Sequence, residues 1–407
     1  MNRRNFLGTA AAAVSAQAQS PNDRVQVAIV GPGGRGTALL KEAIEFSGKY
    51  NARVVAVCDI WNQRREAAAK LVRESYGAEP KAYRRLDDVL ADKSIDAVII
   101  ATPDHQHARM LKAVVESGKD AYCEKPMGNV LEETNAVFDA VKRTGRIVQL
   151  GTQRRSYPKY RSARKMIADG RLGDFVRVDV LWNVYSPYRW APKPGVLEGI
   201  KESDTDWKEF LYGKPDRPFD PKIYRSFRLF REFSSGIIDQ HMTHGIDVVH
   251  FLTGELYPMT AVAEGGLFHY KDYRENQDNL QAVFKYGFGG KPFLATFASN
   301  LANGAGHATR VMGTLGTADV EEGWRISGEG VNHPDRIKTV EPIPDDPTAM
   351  HHMANWLDCV RRRDAKSLYC PAEAGYGHSI ACIMATDALW SGRRMTFDPK
   401  ARTIQGA

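Results

Sequence analysis

The β-branched run Val27-Ala28-Ile29-Val30 leads directly into Gly31-Pro32-Gly33-Gly34-Arg35-Gly36, and a helical pattern follows at 37–45. No other stretch restricts the fold so tightly. In a strand–turn–helix unit with Gly-x-Gly-x-x-Gly, the first glycine makes the turn, the second admits a pyrophosphate to the backbone, and the third lets helix pack on strand. The helix N-terminus then faces the anion. Spacing gives those roles to Gly31, Gly33 and Gly36, with Gly34 and Arg35 in the same turn. A second apolar run, Val54-Val55-Ala56-Val57-Cys58, ends in Asp59, where an acidic residue would hold a ribose 2′-hydroxyl. A dinucleotide is therefore expected, NAD ahead of NADP, since Asp59 repels a 2′-phosphate. Arg64 and Arg65 are expected on the exposed face of the next helix; a turn toward the adenosine would weaken that preference.

Strands and helices alternate up to residue 150. Residues 95–101 form a near-continuous apolar run, as in a central parallel strand covered on both faces. Helices are expected at 62–76, 107–117 and 131–143, and further strands at 120–123 and 146–150. This predicts an α/β Rossmann domain, a doubly wound parallel sheet, over 24–150. Period-two alternation then appears near 176–182 and recurs at 259–268, 279–286 and 292–299. Helices are expected at 237–252, 351–363 and 372–390. Residues 151–407 are therefore expected to form an α+β domain with an open, mostly antiparallel sheet, and the open sheet argues for a homodimer or homotetramer.

Residues 1–18 read as a twin-arginine export signal. Arg3-Arg4-Asn5-Phe6-Leu7 precedes a short alanine-rich stretch, and Ala16-Gln17-Ala18 resembles a cleavage site. A periplasmic or otherwise exported protein is expected. The apolar part is too short to span a bilayer, and no later segment is long enough. The net charge is +7, but Lys and Arg are scattered among Asp and Glu, which argues against nucleic acid. The five cysteines lack metal spacing. Cys58 and Cys123 fall in buried strands, and a bridge of Cys370 with Cys382 or Cys359 stays open in an oxidising compartment.

Several polar residues fall where chemistry can occur. Lys125 ends a parallel strand, at the edge where open α/β sheets bind ligands. A desolvated lysine there either loses its proton readily or, charged, stabilises an alkoxide. Gln240, His244 and Asp247 are spaced i, i+4, i+7 and are expected on one helix face. His241, His244 and Asp247 lack the further His or Cys of a structural zinc site, so no metal is expected. Aromatics crowd the 182–207 stretch, including Trp182, Tyr185, Tyr188, Trp190 and Trp207, beside Arg189. Tyr185 and Trp190 are candidates for stacking on a sugar, with ordinary loop packing the alternative. Arg154, Arg155 and Tyr157, just after the last Rossmann strand, are further pocket candidates.

Together, the glycine turn, Thr102-Pro103-Asp104-His105-Gln106-His107, Glu124-Lys125-Pro126 and Gln240-His241-Met242-Thr243-His244-Gly245-Ile246-Asp247 resemble the Gfo/Idh/MocA oxidoreductase family over nearly the whole chain. The resemblance implies that Lys125 lies beside the nicotinamide and the substrate carbinol. It implies that His244 is an acid/base oriented by the Asp247 carboxylate, and that Thr102, Pro103 and His107 flank the cofactor. Glu124 is placed with the cofactor-binding residues, tying the strand end or the loop. Gln240 and His244 are placed against the substrate. Many relatives carry glycine where this chain has Met242. The implied activity is hydride transfer from a sugar, sugar derivative or polyol to a nicotinamide; because an exported protein meets little free dinucleotide, that cofactor is expected to be tightly bound. Lys125 polarises the hydroxyl and His244 takes its proton, or the two exchange roles. Two other readings remain: an NAD-dependent glycosidase working by transient oxidation, elimination, water addition and re-reduction, and a non-catalytic sugar or dinucleotide sensor.

Overall fold

Six parallel strands form the first sheet: β1 (Val25–Val30), β2 (Ala52–Cys58), β3 (Lys81–Tyr83), β4 (Ala97–Ile100), β5 (Asp120–Cys123) and β6 (Val148–Leu150). Their order is β3-β2-β1-β4-β5-β6, the doubly wound arrangement expected from the alternating pattern. The computed structural model describes residues 24–407 except Pro194 and Gly289; the expected export signal lies outside the described residues. All four residues of β4 are buried, because helices cover both faces. Register aligns the strand ends: Val30 pairs with Cys58 and with Ile100, and Ile100 pairs with Cys123. The next residues, Gly31, Asp59, Ala101 and Glu124, therefore emerge along one rim. The strand order reverses there between β1 and β4, which opens a crevice.

Ten strands form the second sheet: β7 (Phe175–Tyr185), β8 (Thr260–Gly266), β9 (Asn279–Tyr286), β10 (Phe293–Asn300), β11 (Ala302–Gly313), β12 (Thr317–Asp319), β13 (Arg325–Ser327), β14 (Glu341–Pro342), β15 (Met395–Asp398) and β16 (Thr403–Gly406). Their order is β14-β13-β12-β11-β7-β10-β9-β8-β15-β16, antiparallel except for β7 beside β10. Val178, Val180, Phe284 and Phe297 point inward and are buried. Helices Thr243–Thr253 and Ala372–Ser391 pack on this inner side. The outer face carries exposed Leu181, Val262 and Leu294.

One sequence expectation needs correction. The division at residue 150 is not where packing divides. Helix His352–Arg362 returns to the first sheet, where Met353, Trp356, Leu357 and Val360 join Val25, Ile29, Leu39 and Leu40 in one core. An amphipathic helix packs against whichever apolar face complements it, and sequence distance has no say in that. The bridge that the sequence left open for Cys370 does not form: all five cysteines are free and buried, and Cys370 Sγ lies 2.9 Å from Thr152 Oγ1.

The aromatic-rich stretch builds a small core of its own. Trp207, Phe210, Leu211, Phe227 and Phe233 cluster there, with Ile60 of the first domain packed against them. Backbone carbonyls staple this segment to the first domain. Phe210 O accepts from Gln106 Nε2 (2.8 Å) and pairs with His105 Nε2 (2.8 Å), while Arg84 donates to Thr205 O (2.7 Å). The segment therefore forms a wall facing the rim of the parallel sheet.

Candidate active site at the sheet rim

The glycine turn adopts the geometry its spacing predicts. Gly31 has φ +78°, and a Cβ there would lie 2.9 Å from Ala101 O. A Cβ on Gly36 would collide with the Gly31 carbonyl oxygen, so helix Gly34–Ser47 starts hard against the turn. Gly33 and Gly34, by contrast, face open space. The cleft they open onto is lined by Arg35, Asp59, Trp61, Thr102 and Pro103 on one side and by Phe210, Tyr224, Arg225 and Arg228 on the other. A bare backbone cradle, an apolar wall and a buried unpaired Trp61 Nε1 fit a dinucleotide. Gly36→Val is expected to lower dinucleotide affinity more than tenfold, as read by calorimetric titration.

Asp59 accepts a hydrogen bond from Trp61 N (2.8 Å). Burial raises its pKa to about 6, against the pull of the Trp61 N–H and of Arg64 and Arg65. Arg65 turns back onto Asp59 O and Asn62 Oδ1 (both 2.7 Å). Arg64 instead lies over the Trp61 ring at 5.3 Å and lines the cleft. The expected exposed placement therefore fails for both arginines, which are partly buried, and Arg64 lines the cleft.

Two residues expected on the cofactor are structural ties. His107 is buried, with Nδ1 2.8 Å from Pro126 O and Nε2 2.9 Å from Thr102 O, so it binds the Thr102 loop to the turn after Lys125. Glu124 accepts from Arg35 Nε (2.8 Å) and Gln153 Nε2 (3.0 Å), which locks the glycine turn to the end of β5.

Lys125 is 9% exposed. Its Nζ donates to Asp239 O (3.0 Å) and Gln240 Oε1 (3.2 Å). Gln240 Oε1 also accepts from Arg228 Nε (3.0 Å), while its Nε2 donates to Asp104 Oδ2 (2.5 Å). The amide orientation follows from that pattern: oxygen toward two cations, nitrogen toward a carboxylate. Burial lowers the Lys125 pKa, and the nearby Asp104 and Glu124 charges oppose that shift. Burial and then the Asp104 charge raise the Asp239 pKa to about 7.

A π-turn at Ile238–Met242 precedes helix Thr243–Thr253. Such wide turns recur at functional sites. Here the turn presents both the Asp239 carbonyl and the Gln240 amide to Lys125. His244 is partly buried, and its ring makes no hydrogen bond among the described residues. Burial, followed by the Lys125 and Arg154 charges, holds its pKa well below the ordinary imidazole value. Trp182 sits beside it, with ring centroids 5.9 Å apart.

Asp247 does not orient His244. Arg155 Nε donates to both of its oxygens (2.9 and 2.8 Å), and His378 Nδ1 lies 3.3 Å from Oδ1. Residues three apart on an α-helix diverge by roughly 60°, so Asp247 is turned to Arg155 and His378 while the His244 ring lies beside Trp182. His241 is likewise engaged elsewhere, by Arg189 (3.2 Å) and Ser299 (3.3 Å), and is stacked on Trp182.

Among the substrate candidates, Arg154 lies over the Trp182 ring at 4.3 Å and is held by Glu321 at 2.5 Å. Trp190 packs against His241 at 5.4 Å. Tyr185 and Tyr157 stand apart. Tyr185 is 69% exposed at the end of β7, and Tyr157 is 51% exposed beside a separate hollow at Met350 and His351. Period-two alternation gave no sign that β7 outruns the pocket. Sequence reading also missed Asp104, Arg225 and Arg228. Asp104 lies inside the Thr102–His107 motif, whose spacing gives it no role; Arg228 carries no spacing signal and is brought in by the fold of the aromatic wall.

A family model described as an oxidoreductase family with an NAD-binding Rossmann fold matches residues 25–152. Its companion, the C-terminal alpha/beta domain of the oxidoreductase family, matches residues 211–395. The chain is 33% identical over 171 residues to an inositol 2-dehydrogenase of Rhizobium meliloti (strain 1021), covering 41% of this chain and 50% of that relative. It is 36% identical over 151 residues to a scyllo-inositol 2-dehydrogenase (NAD(+)) of Bacillus subtilis (strain 168), covering 37% and 42%. These matches span about half the relatives' length or less. The WlbA dehydrogenase from Bordetella pertussis, solved with NADH and UDP-GlcNAcA, superposes with a TM-score of 0.67 at 18% identity over 92% of this chain and 99% of that one. A levoglucosan dehydrogenase with NADH and levoglucosan gives 0.67 at 17% identity, with the same coverage. At these identities the likeness concerns the fold.

Proposed function

The chain belongs to the Gfo/Idh/MocA oxidoreductase family, and from that premise we propose that it oxidises a hydroxyl of a sugar, sugar derivative or polyol, with NAD held tightly in the glycine-turn cleft. Bound there, the nicotinamide supplies the acceptor for the carbinol hydrogen. Gly31–Gly36 and Asp59 hold the dinucleotide, and Thr102 and Pro103 flank it. Two of the three Lys125 N–H groups are engaged by Asp239 and Gln240. The third is left for the substrate oxygen, where it stabilises developing negative charge. His244, neutral and without a hydrogen-bond partner among the described residues, takes the hydroxyl proton. The observation that carries this reading is Lys125, held at the end of the parallel sheet by Asp239 O and Gln240 Oε1, with its charge acting on the His244 imidazole.

The test is incubation of the purified protein with a panel of sugars and polyols, with and without added NAD. A keto product or lactone supports the proposal. Release of aglycone from aryl glycosides without net oxidation supports the transient-oxidation route on the same residues. No turnover on any member, with sugar or dinucleotide binding intact, leaves the sensor reading.

The acid limb of kcat/KM should lie below pH 6.5. The base must be neutral to act, and the fold lowers the His244 pKa, so activity persists through neutrality and falls only as His244 takes a proton. His244→Asn should remove that limb from the pH–rate profile.

The outer face of the second sheet, with Leu181 (38% exposed) and Leu294 (45% exposed), is proposed as the contact of a homodimer or homotetramer. Leu181→Glu with Leu294→Glu should yield a monomer in sedimentation; an unchanged mass would rule this face out. Export by the twin-arginine route is proposed from Arg3 and Arg4. It is tested by fractionating cells that express the full chain against an Arg3→Lys, Arg4→Lys variant.

A further inference from the structure

Asp104 opens the short turn Asp104–Gln106 that follows β4, and it is only 3% exposed. A buried carboxylate needs donors, and the second domain supplies two. Ser234 Oγ donates to Oδ2 (2.6 Å), and Gln240 Nε2 donates to the same oxygen (2.5 Å). The next two residues, His105 and Gln106, engage Phe210 O. One turn of the first domain thus fastens the aromatic wall and also reaches the π-turn that holds Lys125.

A side-chain amide is nearly symmetrical in shape but opposite in polarity at its two ends. Flipped, Gln240 would set its NH2 group against Lys125 Nζ and Arg228 Nε, donor on donor, and its oxygen against a carboxylate. As it stands, one end satisfies two cations and the other an acceptor-only group. Charged partners at both ends polarise the amide between them, so each bond strengthens the next. Of the two acceptors that fix Lys125, Asp239 O belongs to the backbone, whereas Gln240 Oε1 sits on a side chain with rotatable bonds. The second is only as well placed as the contact at its far end.

We propose that Asp104 is a positioning residue for Lys125, acting through the Gln240 amide to hold the ammonium in place for the substrate oxygen. This rests on the oxidation reading and adds to it a residue that works through another. The same carboxylate also acts on Lys125 through its charge. Around the ammonium stand the carboxylates of Asp104, Glu124 and Asp239 and the Arg228 guanidinium. The imidazoles of His241, His244 and His378 feel its charge and are held below the ordinary imidazole pKa by burial. Burial lowers the Lys125 pKa, and Asp104 is the strongest of the charges opposing that shift. Asp239 titrates at about 7 with Asp104 beside it and lower without it, so in the alkaline range it is ionised either way. Lys125 must be charged to stabilise an alkoxide. Loss of the Asp104 charge therefore lowers its pKa and moves the alkaline limb of the rate to lower pH.

The test is single-turnover reduction of bound NAD by the fastest sugar or polyol of the panel, followed across pH and substrate concentration. The full-length natural chain is compared with Asp104→Asn, Gln240→Glu and the two together. Asp104→Asn keeps the shape and removes the charge. It should slow the maximal rate at least about tenfold, leave half-saturation within roughly threefold, and move the alkaline limb down by about half a pH unit or more. Gln240→Glu sets two carboxylates against each other and should lose at least as much. The combined exchange again faces a donor with an acceptor and keeps one carboxylate beside Lys125, so it should recover most of the rate and restore the limb. Urea unfolding of the same four proteins separates a loss of rate from a loss of stability. Asp104→Asn with a near-natural rate and an unmoved limb overturns the positioning role and leaves the oxidation reading standing. So does a combined exchange whose losses simply add. A natural chain that reduces no bound NAD with any member of the panel removes both.

Discussion

Lys125→Met should turn over at least about a hundredfold more slowly than the natural chain, with NAD affinity within a few-fold. Removing one positioned acid–base or charge-stabilising group costs on the order of 10²–10⁴ in rate. Methionine fills a similar volume and removes the only N–H left for the substrate oxygen. Asp239 O and Gln240 Oε1 lose a donor, but Arg228 still serves Gln240. The check is single-turnover reduction of bound NAD alongside a dinucleotide titration. Activity within tenfold of the natural chain would show that Lys125 does not act on the substrate. His244→Asn should give a loss of similar size, and the double variant should be far from additive, because the two groups act on one hydroxyl.

The second large effect is on stability. Asp247→Ala should cost ~3–5 kcal/mol, the usual result of breaking a buried ion pair by removing one partner. Arg155 would be left buried with its charge uncompensated; its side chain is 8% exposed and that of Asp247 1%. His378 would also lose its acceptor. Replacing both members, Arg155→Met with Asp247→Leu, should recover most of the loss, since no charge then stays stranded. Urea unfolding measures both. This experiment also separates the two accounts of Asp247. An Asp247→Asn protein of unchanged stability but greatly reduced kcat would return the residue to the role of orienting His244, which its hydrogen bonds do not support.

Much of the first domain was legible because its signals are local. The glycine turn and the apolar run at 95–101 each act within a few residues. The second domain was legible where period-two alternation is strong: β9 spans the stretch read from its pattern. It was illegible at β11, Ala302–Gly313, whose first half carries two glycines and no alternation. β11 exists because β7 offers it a ladder of partners from Phe175 to Tyr185. The short strands β12–β14 depend on β11 in turn.

The candidate site divides the same way. Gly31, Asp59, Lys125 and His244 could be read from motifs because each is placed by the element it sits on. Asp104, Arg225 and Arg228 could not, because their positions depend on how the aromatic wall packs against the rim. Asp247 shows the reverse failure: its spacing from His244 suggested a pair, and the buried charge of Arg155 captured it.

The order of residues along the chain thus determined a dinucleotide turn, an acidic residue at the second strand end, and an ammonium and an imidazole available for chemistry. Those depend on backbone dihedrals and hydrogen bonds between near neighbours. Only the tertiary structure decided which polar groups satisfy one another and which helix returns to complete the first core. Burial makes an unpaired charge or an exposed apolar face costly, and that cost is settled by every group that comes within a few ångströms, whatever its distance along the chain.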